Sequence, residues 1–279
     1  MGGIMLIDNT DKIKEIEDLT KNNTFNNESI FSLFYKNISK KICWNSNNIE
    51  GNTLTLEETI RLIDFDETRG NHKYQEYLDT KCLYNAMQKY LNPKEFVNID
   101  HEWICYANYT IRGNDPKNIN YLDIYRKEEV GIGDGINFSY IAPTYKDVPN
   151  LMNNFIDNIK EIKNMEISDL LKKVAINHLE FERIHPFIDG NGRVGRMILN
   201  QMLMNNNLLP IYFNNNSEYR GAFNIYNKNK DYSKMLYLIC NNEFNSIQDF
   251  NKIKDQSNEY YQLNTERENN DNFEPDCSS

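Results

Sequence analysis

Apolar positions recur at steps of three and four along most of the chain, the period of amphipathic helices. Residues 29–50 place Phe31, Phe34, Tyr35, Ile38, Ile42 and Ile49 near one face, and Gly51 follows as a stop. Thr55-Leu56-Glu57-Glu58 reads as a capping box that opens the next helix. Further helices are predicted over 73–91, ended by Asn92-Pro93, and over 98–112. Residues 113–122 are loop-like. Residues 123–143 break the helical period: Val, Ile, Phe and Tyr surround Gly131, Gly133 and Gly135, the pattern of a short β-hairpin with a glycine-rich turn. Helices resume at 147–163 and 168–184, where Leu171, Val174, His178 and Phe181 share a face that leads to His185. Residues 193–204, 217–227 and 231–245 follow as helices. From about 256 the chain turns polar and acidic and reads as a mobile tail. The expected architecture is mainly α, with about eight helices around one core and a small hairpin beside them.

Composition narrows the classes. Of 279 residues, 39% are hydrophobic, with 14 Phe and 18 Tyr, enough for a sizeable core. A net charge of −10 argues against a nucleic-acid-coating protein, which needs a basic face. Five Cys without a CxxC pair argue against a disulfide framework or a zinc site. The N-terminus lacks a basic and apolar leader pattern, and no run of 18 apolar residues exists. A soluble, cytoplasmic protein is expected, with no membrane and no nucleic acid among its partners.

The chemistry concentrates in residues 185–196, HPFIDGNGRVGR. The pattern is helix, tight loop, helix. His185 ends the first helix and can accept a proton near neutral pH. Asp189 is a hard oxygen ligand suited to a Mg²⁺ that bridges phosphates. Gly190 and Gly192 let the backbone approach a ligand, and the next helix N-terminus offers free N–H groups to an anion. Arg193 and Arg196 are i,i+3 neighbours able to reach one polyphosphate. An EF-hand is rejected because its fifth and twelfth positions would be Arg193 and Asn200. A Walker A loop is absent, and Gly131–Gly135 reads GxGxG without a βαβ series, which removes a dinucleotide fold.

The stretch HPFIDGNGRVGR resembles the signature of Fic proteins, HxFx(D/E)GNGRxxR, at every specified position. The upstream AINHLEFERI and the segment YRKEEVGIGDGINFSYIAPTYKDVPNLM, similar to the family's flap hairpin, extend the likeness over roughly residues 40–245. The resemblance implies a Fic fold and transfer of AMP from ATP to a Ser, Thr or Tyr hydroxyl of an unidentified target protein, or of the chain itself, with Mg²⁺ or Mn²⁺. It implies His185 as catalytic base and Asp189 as metal holder. Gly190, Asn191, Gly192 and Arg193 would bind the α- and β-phosphates, and Arg196 the γ-phosphate. Phe187 would anchor the loop, and Tyr219 and Asn227 would line a nucleoside pocket.

Residues 46–51, SNNIEG, resemble the family's inhibitory motif (S/T)xxxE(G/N). The resemblance implies that Glu50 pairs with Arg196 and displaces the γ-phosphate, with Ser46 and Gly51 completing the motif. The resulting division is an N-terminal segment (1–28), an inhibitory helix region (29–60), a Fic core (61–250, with flap 126–143 and motif loop 185–196) and an acidic tail (251–279). A homodimer is in keeping with relatives that carry such a helix. The competing readings are a de-AMPylase or bifunctional enzyme, in which the same Glu aligns a water, and a non-catalytic ATP-binding module.

Overall fold

A computed structural model describes residues 7–22, 25, 27–133, 138–162 and 165–271. Its α-helices in chain order are α1 (Thr10–Asn22), α2 (Glu28–Ile49), α3 (Leu56–Phe65), α4 (Tyr74–Tyr90), α5 (His101–Ile111), α6 (Val148–Lys160), α7 (Ile167–Ile184), α8 (Asn191–Met204), α9 (Asn216–Asn229) and α10 (Ser233–Asp271). Short 3₁₀ turns occupy Pro116–Asn118 and Tyr121–Asp123. Strands β1 (Gly131–Gly133) and β2 (Phe138–Ile141) form an antiparallel hairpin with a bulge at Ile132/Gly133. The Gly135 turn expected from the sequence lies outside the described residues.

Local chemistry explains the element ends. The capping box is present: Glu58 N–H donates to Thr55 Oγ1 (3.2 Å), and Thr55 N–H donates to Glu58 Oε2 (2.8 Å). Asn27 and Asp100 cap α2 and α5 through their side-chain oxygens. Helix α8 is the centre of the molecule, with every residue from Arg193 to Met204 buried. Its buried amides are satisfied by neighbouring loops. Asn200 Oδ1 accepts from Ile211 N–H (2.6 Å), and Gln201 pairs with the Asn92 backbone at 2.9 and 3.1 Å. Helices α5 and α7 flank α8, and α2 packs against it, α4 and α10.

Two segments differ from expectation. The N-terminal segment, to which the sequence reading assigns no element, contains α1, which buries Ile13 and Ile16 against α7 and α10. The last helix does not stop at 245 but runs to Asp271. Phe250 explains part of this: it is 1% exposed and meets the rings of Phe25 and Phe34 at 5.0 and 5.6 Å. With α1, ten α-helices are present among the described residues, where about eight were expected.

Candidate active site

The motif loop is shaped by two left-handed residues. His185 ends α7 with φ 49°, and Gly190 precedes α8 with φ 81°. A side chain at Gly190 would press on Asn108 Nδ2, which donates to the Asp189 carbonyl at 2.8 Å. Asn191 closes the loop on itself: its amide accepts from Phe187 N–H (2.9 Å) and donates to Phe187 O (2.8 Å). Phe187 is fully buried and stacks on Tyr125 at 5.7 Å, so it anchors the loop in the core. Helix geometry leaves the N–H groups of Asn191, Gly192 and Arg193 without intrahelical acceptors, while Val194 N–H already bonds Gly190 O. The Asn191 side chain is spent on the loop, so its backbone N–H is what it offers an anion.

His185 is half-buried. Its Nδ1 lies 3.3 Å from Glu182 O, and a carbonyl can only accept, so the proton sits on Nδ1 and Nε2 carries the lone pair. Burial is the main cause that moves its pKa below the ordinary imidazole value, and Arg126 adds to it. The imidazole is therefore neutral at neutral pH and able to take a proton.

Asp189 is exposed at the crest of the loop, with Oδ1 accepting from Gly190 N–H (2.6 Å) and Oδ2 3.3 Å from Arg193 Nη2. Arg193 is 7% exposed and also faces Asp79 at 3.8 Å. Among the described residues no group of three or more His, Cys, Asp or Glu is arranged to hold a metal alone. One open carboxylate beside an anion cradle nonetheless fits a Mg²⁺ that takes its other ligands from phosphates and water.

Arg196 is 4% exposed and faces α2. Its Nη2 donates to Glu50 Oε1 (2.6 Å) and to Ser46 O (2.9 Å), and its Nε donates to Ser46 Oγ (2.9 Å). Its Nη1 donates to Tyr219 OH at 3.3 Å. Burial opposes the Arg196 charge, but Tyr219 and Glu50 beside it more than offset this and keep it protonated. Gly192 fits the same junction, because a Cβ there would collide with Glu50 Oε1 and crowd Arg196. Gly51, with φ 98° and open space where a side chain would stand, serves as the helix stop. The end of α2 is fastened to the segment before α9 and to α9 itself. Asn45 pairs with the Phe213 backbone (2.7 and 3.0 Å), Asn216 donates to Asn48 Oδ1 (2.7 Å) and Arg220 donates to Ile49 O. Tyr219 is buried beneath Arg196, and Asn227, two turns further along α9, has a buried Oδ1 without a hydrogen-bond partner.

Two residues stand out that no sequence pattern marks. Arg126 has a fully buried side chain that donates to three carbonyls: His185 O (2.9 Å), Glu128 O (2.9 Å) and Pro143 O. It ties both feet of the hairpin to the start of the motif loop. Arg126→Ala leaves those acceptors unpaired and is expected to destabilise the fold by on the order of 3 kcal/mol, read as a lower urea midpoint at unchanged slope. A midpoint equal to wild type would contradict this role.

Glu182 is the second. Its Oε1 is buried without a partner, against Gly195 and near Arg196. Burial raises its pKa from 4.5 to about 8, and Glu243, enclosed on α10, is raised likewise to about 8. The sign follows from linkage: the folded state keeps protons that the unfolded state releases above pH 4.5. The stability they contribute is full below that pH and is lost as pH rises toward 8. Glu182→Gln together with Glu243→Gln should therefore flatten the fall in Tm between pH 5 and pH 8, and an unchanged slope would show that neither acid is held protonated.

The model of the Fic/DOC family matches residues 90–203. A protein named probable protein adenylyltransferase from Aquifex aeolicus is 35% identical over 185 residues, 61% of this chain and 54% of that relative. The protein adenylyltransferase Fic of Nematostella vectensis is 29% identical over 174 residues, 60% of this chain and 38% of the relative. The chain thus spans about half or less of the length of these relatives. In three dimensions it is similar to a Fic domain containing signaling protein from Bacteroides thetaiotaomicron, with a TM-score of 0.73, 19% identity, and coverage of 87% of this chain and 97% of that one. Among the described residues no helix is long and apolar enough to cross a membrane.

Proposed function

We propose that residues 90–203, which match the Fic/DOC family model, form a domain of that family, and that the chain is a protein adenylyltransferase held back by its own Glu50. The observation that carries the reading is the junction of four features on one loop. They are a neutral His185 with its Nε2 lone pair available, an open helix N-terminus, two buried arginines and an exposed Asp189. The names of the relatives in Aquifex aeolicus and Nematostella vectensis support the same activity.

In this reading the N–H groups of Asn191, Gly192 and Arg193 and the Arg193 guanidinium hold the inner phosphates of ATP. Arg196 holds the terminal phosphate. Asn227 offers its unpartnered Oδ1 to the nucleoside. His185 Nε2 takes the proton from a Ser, Thr or Tyr hydroxyl of a target protein. The hydroxyl oxygen then bonds to the α-phosphorus, and the bond to the β-phosphate breaks to release pyrophosphate. Asp189 would hold Mg²⁺ or Mn²⁺, which neutralises the charge developing on the phosphates. Glu50 occupies the Arg196 contact that the terminal phosphate needs, so ATP is kept from its productive pose until α2 yields.

Mass spectrometry of proteins from cells producing the Glu50→Gly chain tests the activity. The reading expects peptides carrying AMP on a hydroxyl side chain, absent from cells producing the Glu50→Gly, His185→Ala chain. Equal modification in both would overturn it. For the metal, Asp189→Ala in the Glu50→Gly background should be inactive even at excess Mg²⁺, and undiminished activity of Glu50→Gly in EDTA would remove that role. A second reading has its own support: the Glu50 side chain keeps 43% of its surface exposed despite the Arg196 bond, leaving room to align a water for removal of AMP. Loss of AMP from a pre-modified target on incubation with wild type, but not with Glu50→Gly, would establish that reverse reaction.

A further inference from the structure

The Tyr219 hydroxyl lies buried between α7 and α8. The residue is 2% exposed, and its oxygen is 3.3 Å from Arg196 Nη1 and 2.8 Å from His178 Nε2. His178, on α7, is 1% exposed, with its ring packed on Phe213, Tyr219 and Phe223. Burial first, and the nearby Arg196 charge second, push its pKa down to about 3, so the imidazole is neutral. A guanidinium only donates, so the Tyr219 oxygen must accept from Arg196. Its single proton goes to His178 Nε2 in the tautomer that keeps the imidazole proton on Nδ1, with the Gly195 backbone as the ring's other polar neighbour. The donors therefore run one way: Arg196 to Tyr219 to His178.

This arrangement differs in kind from the other contacts of Arg196. Ser46 and Glu50 belong to α2, and Glu50 is exposed at its end. Tyr219 and His178 belong to α9 and α7 and are both enclosed in the core. Nη1 is thus fixed by the interior, while Nη2 faces the acceptor that changes.

We infer that Tyr219 and His178 are positioning residues for the phosphate-binding Arg196: the histidine orients the tyrosine hydroxyl, and the hydroxyl aims the guanidinium at the site shared by Glu50 and the terminal phosphate of ATP. The inference rests on the ATP reading above and makes Tyr219 a support beneath the phosphate site through its hydroxyl. Without the hydroxyl, Arg196 loses its fixed acceptor and the terminal phosphate loses an oriented partner. The inner phosphates, held by α8, are untouched.

The test is titration calorimetry of Mg-ATP and Mg-ADP on the full chain in the Glu50→Gly background. Tyr219→Phe should weaken ATP binding about tenfold while changing ADP binding less than about twofold. The same change added to Arg196→Ala should have no further effect on ATP. His178→Leu should reproduce the loss of ATP preference, whereas His178→Gln, which keeps an amide oxygen to accept from Tyr219, should stay near the parent. Equal loss of ATP and ADP affinity, or an ATP affinity that does not change in Tyr219→Phe and His178→Leu, would overturn the positioning role. Failure of the Glu50→Gly parent to bind ATP at all would overturn the nucleotide reading itself, and the role of the pair with it.

Discussion

Purified Glu50→Gly protein is expected to label itself or a target from α-labelled ATP at least about tenfold faster than wild type, because a charge-assisted contact that competes with the terminal phosphate has been removed. The contact is a single strong one, Arg196 Nη2 to Glu50 Oε1 at 2.6 Å, and not a two-pronged pair. The other hydrogen of Nη2 goes to Ser46 O, and Nε goes to Ser46 Oγ. Removal of Glu50 frees Nη2 and takes a negative charge away from the triphosphate site. Both changes favour productive binding. Glu50→Gly with Arg196→Ala should lose most of the gain, since the freed group is then missing. Ser46→Ala should derepress by an intermediate amount. The sequence suggests that Ser46 only steadies the helix end, but its hydroxyl touches Arg196 directly, and only the carbonyl contact would survive the substitution. Equal labelling by wild type and Glu50→Gly across ATP and metal concentrations would remove Glu50 from regulation.

The second large effect is at His185. In the Glu50→Gly background, loss of the base should cut transfer by about 10²–10⁴ while leaving ATP binding nearly intact, because the phosphate contacts lie on α8. The choice of variant matters here. His185 has φ 49°, a conformation that strains alanine and that asparagine tolerates. His185→Asn should therefore match His185→Ala in lost activity but retain more of the wild-type Tm. A variant of either kind with parent turnover would show that another group takes the proton.

Much of this site is written in consecutive residues, which is why it is legible from sequence. The loop 185–196 is local: its glycines, its helix start and its buried Phe187 all follow from order along the chain. Ser46 and Glu50 are also local to one another, four residues apart on α2. What brings them to Arg196, 150 and 146 residues away, is the packing of α2 on α8. Arg126, 59 residues from His185, carries no pattern of its own, since its three acceptors are backbone carbonyls that any sequence supplies. Tyr219 could be placed near the site by its position after the motif helix, but not the direction of its hydroxyl, which depends on a neutral His178 across the core. The fold divides the same way. The long helices from α2 to α9 follow the apolar period. The docking of α1 and the extension of α10 past residue 245 depend on partners such as Phe25, Phe34 and Phe250 that meet only in the folded chain.

The most direct measurement pairs two labels on one protein. Glu50→Gly chain is incubated with Mg²⁺ and a candidate target, once with ATP labelled at the α-phosphate and once at the γ-phosphate, with wild type and Glu50→Gly, His185→Ala alongside. AMP transfer restrained by Glu50 predicts α-label in protein from Glu50→Gly, little from wild type, none from the double variant, and no γ-label in any. Incorporation of γ-label, or absence of α-label from Glu50→Gly protein that binds ATP, would contradict it.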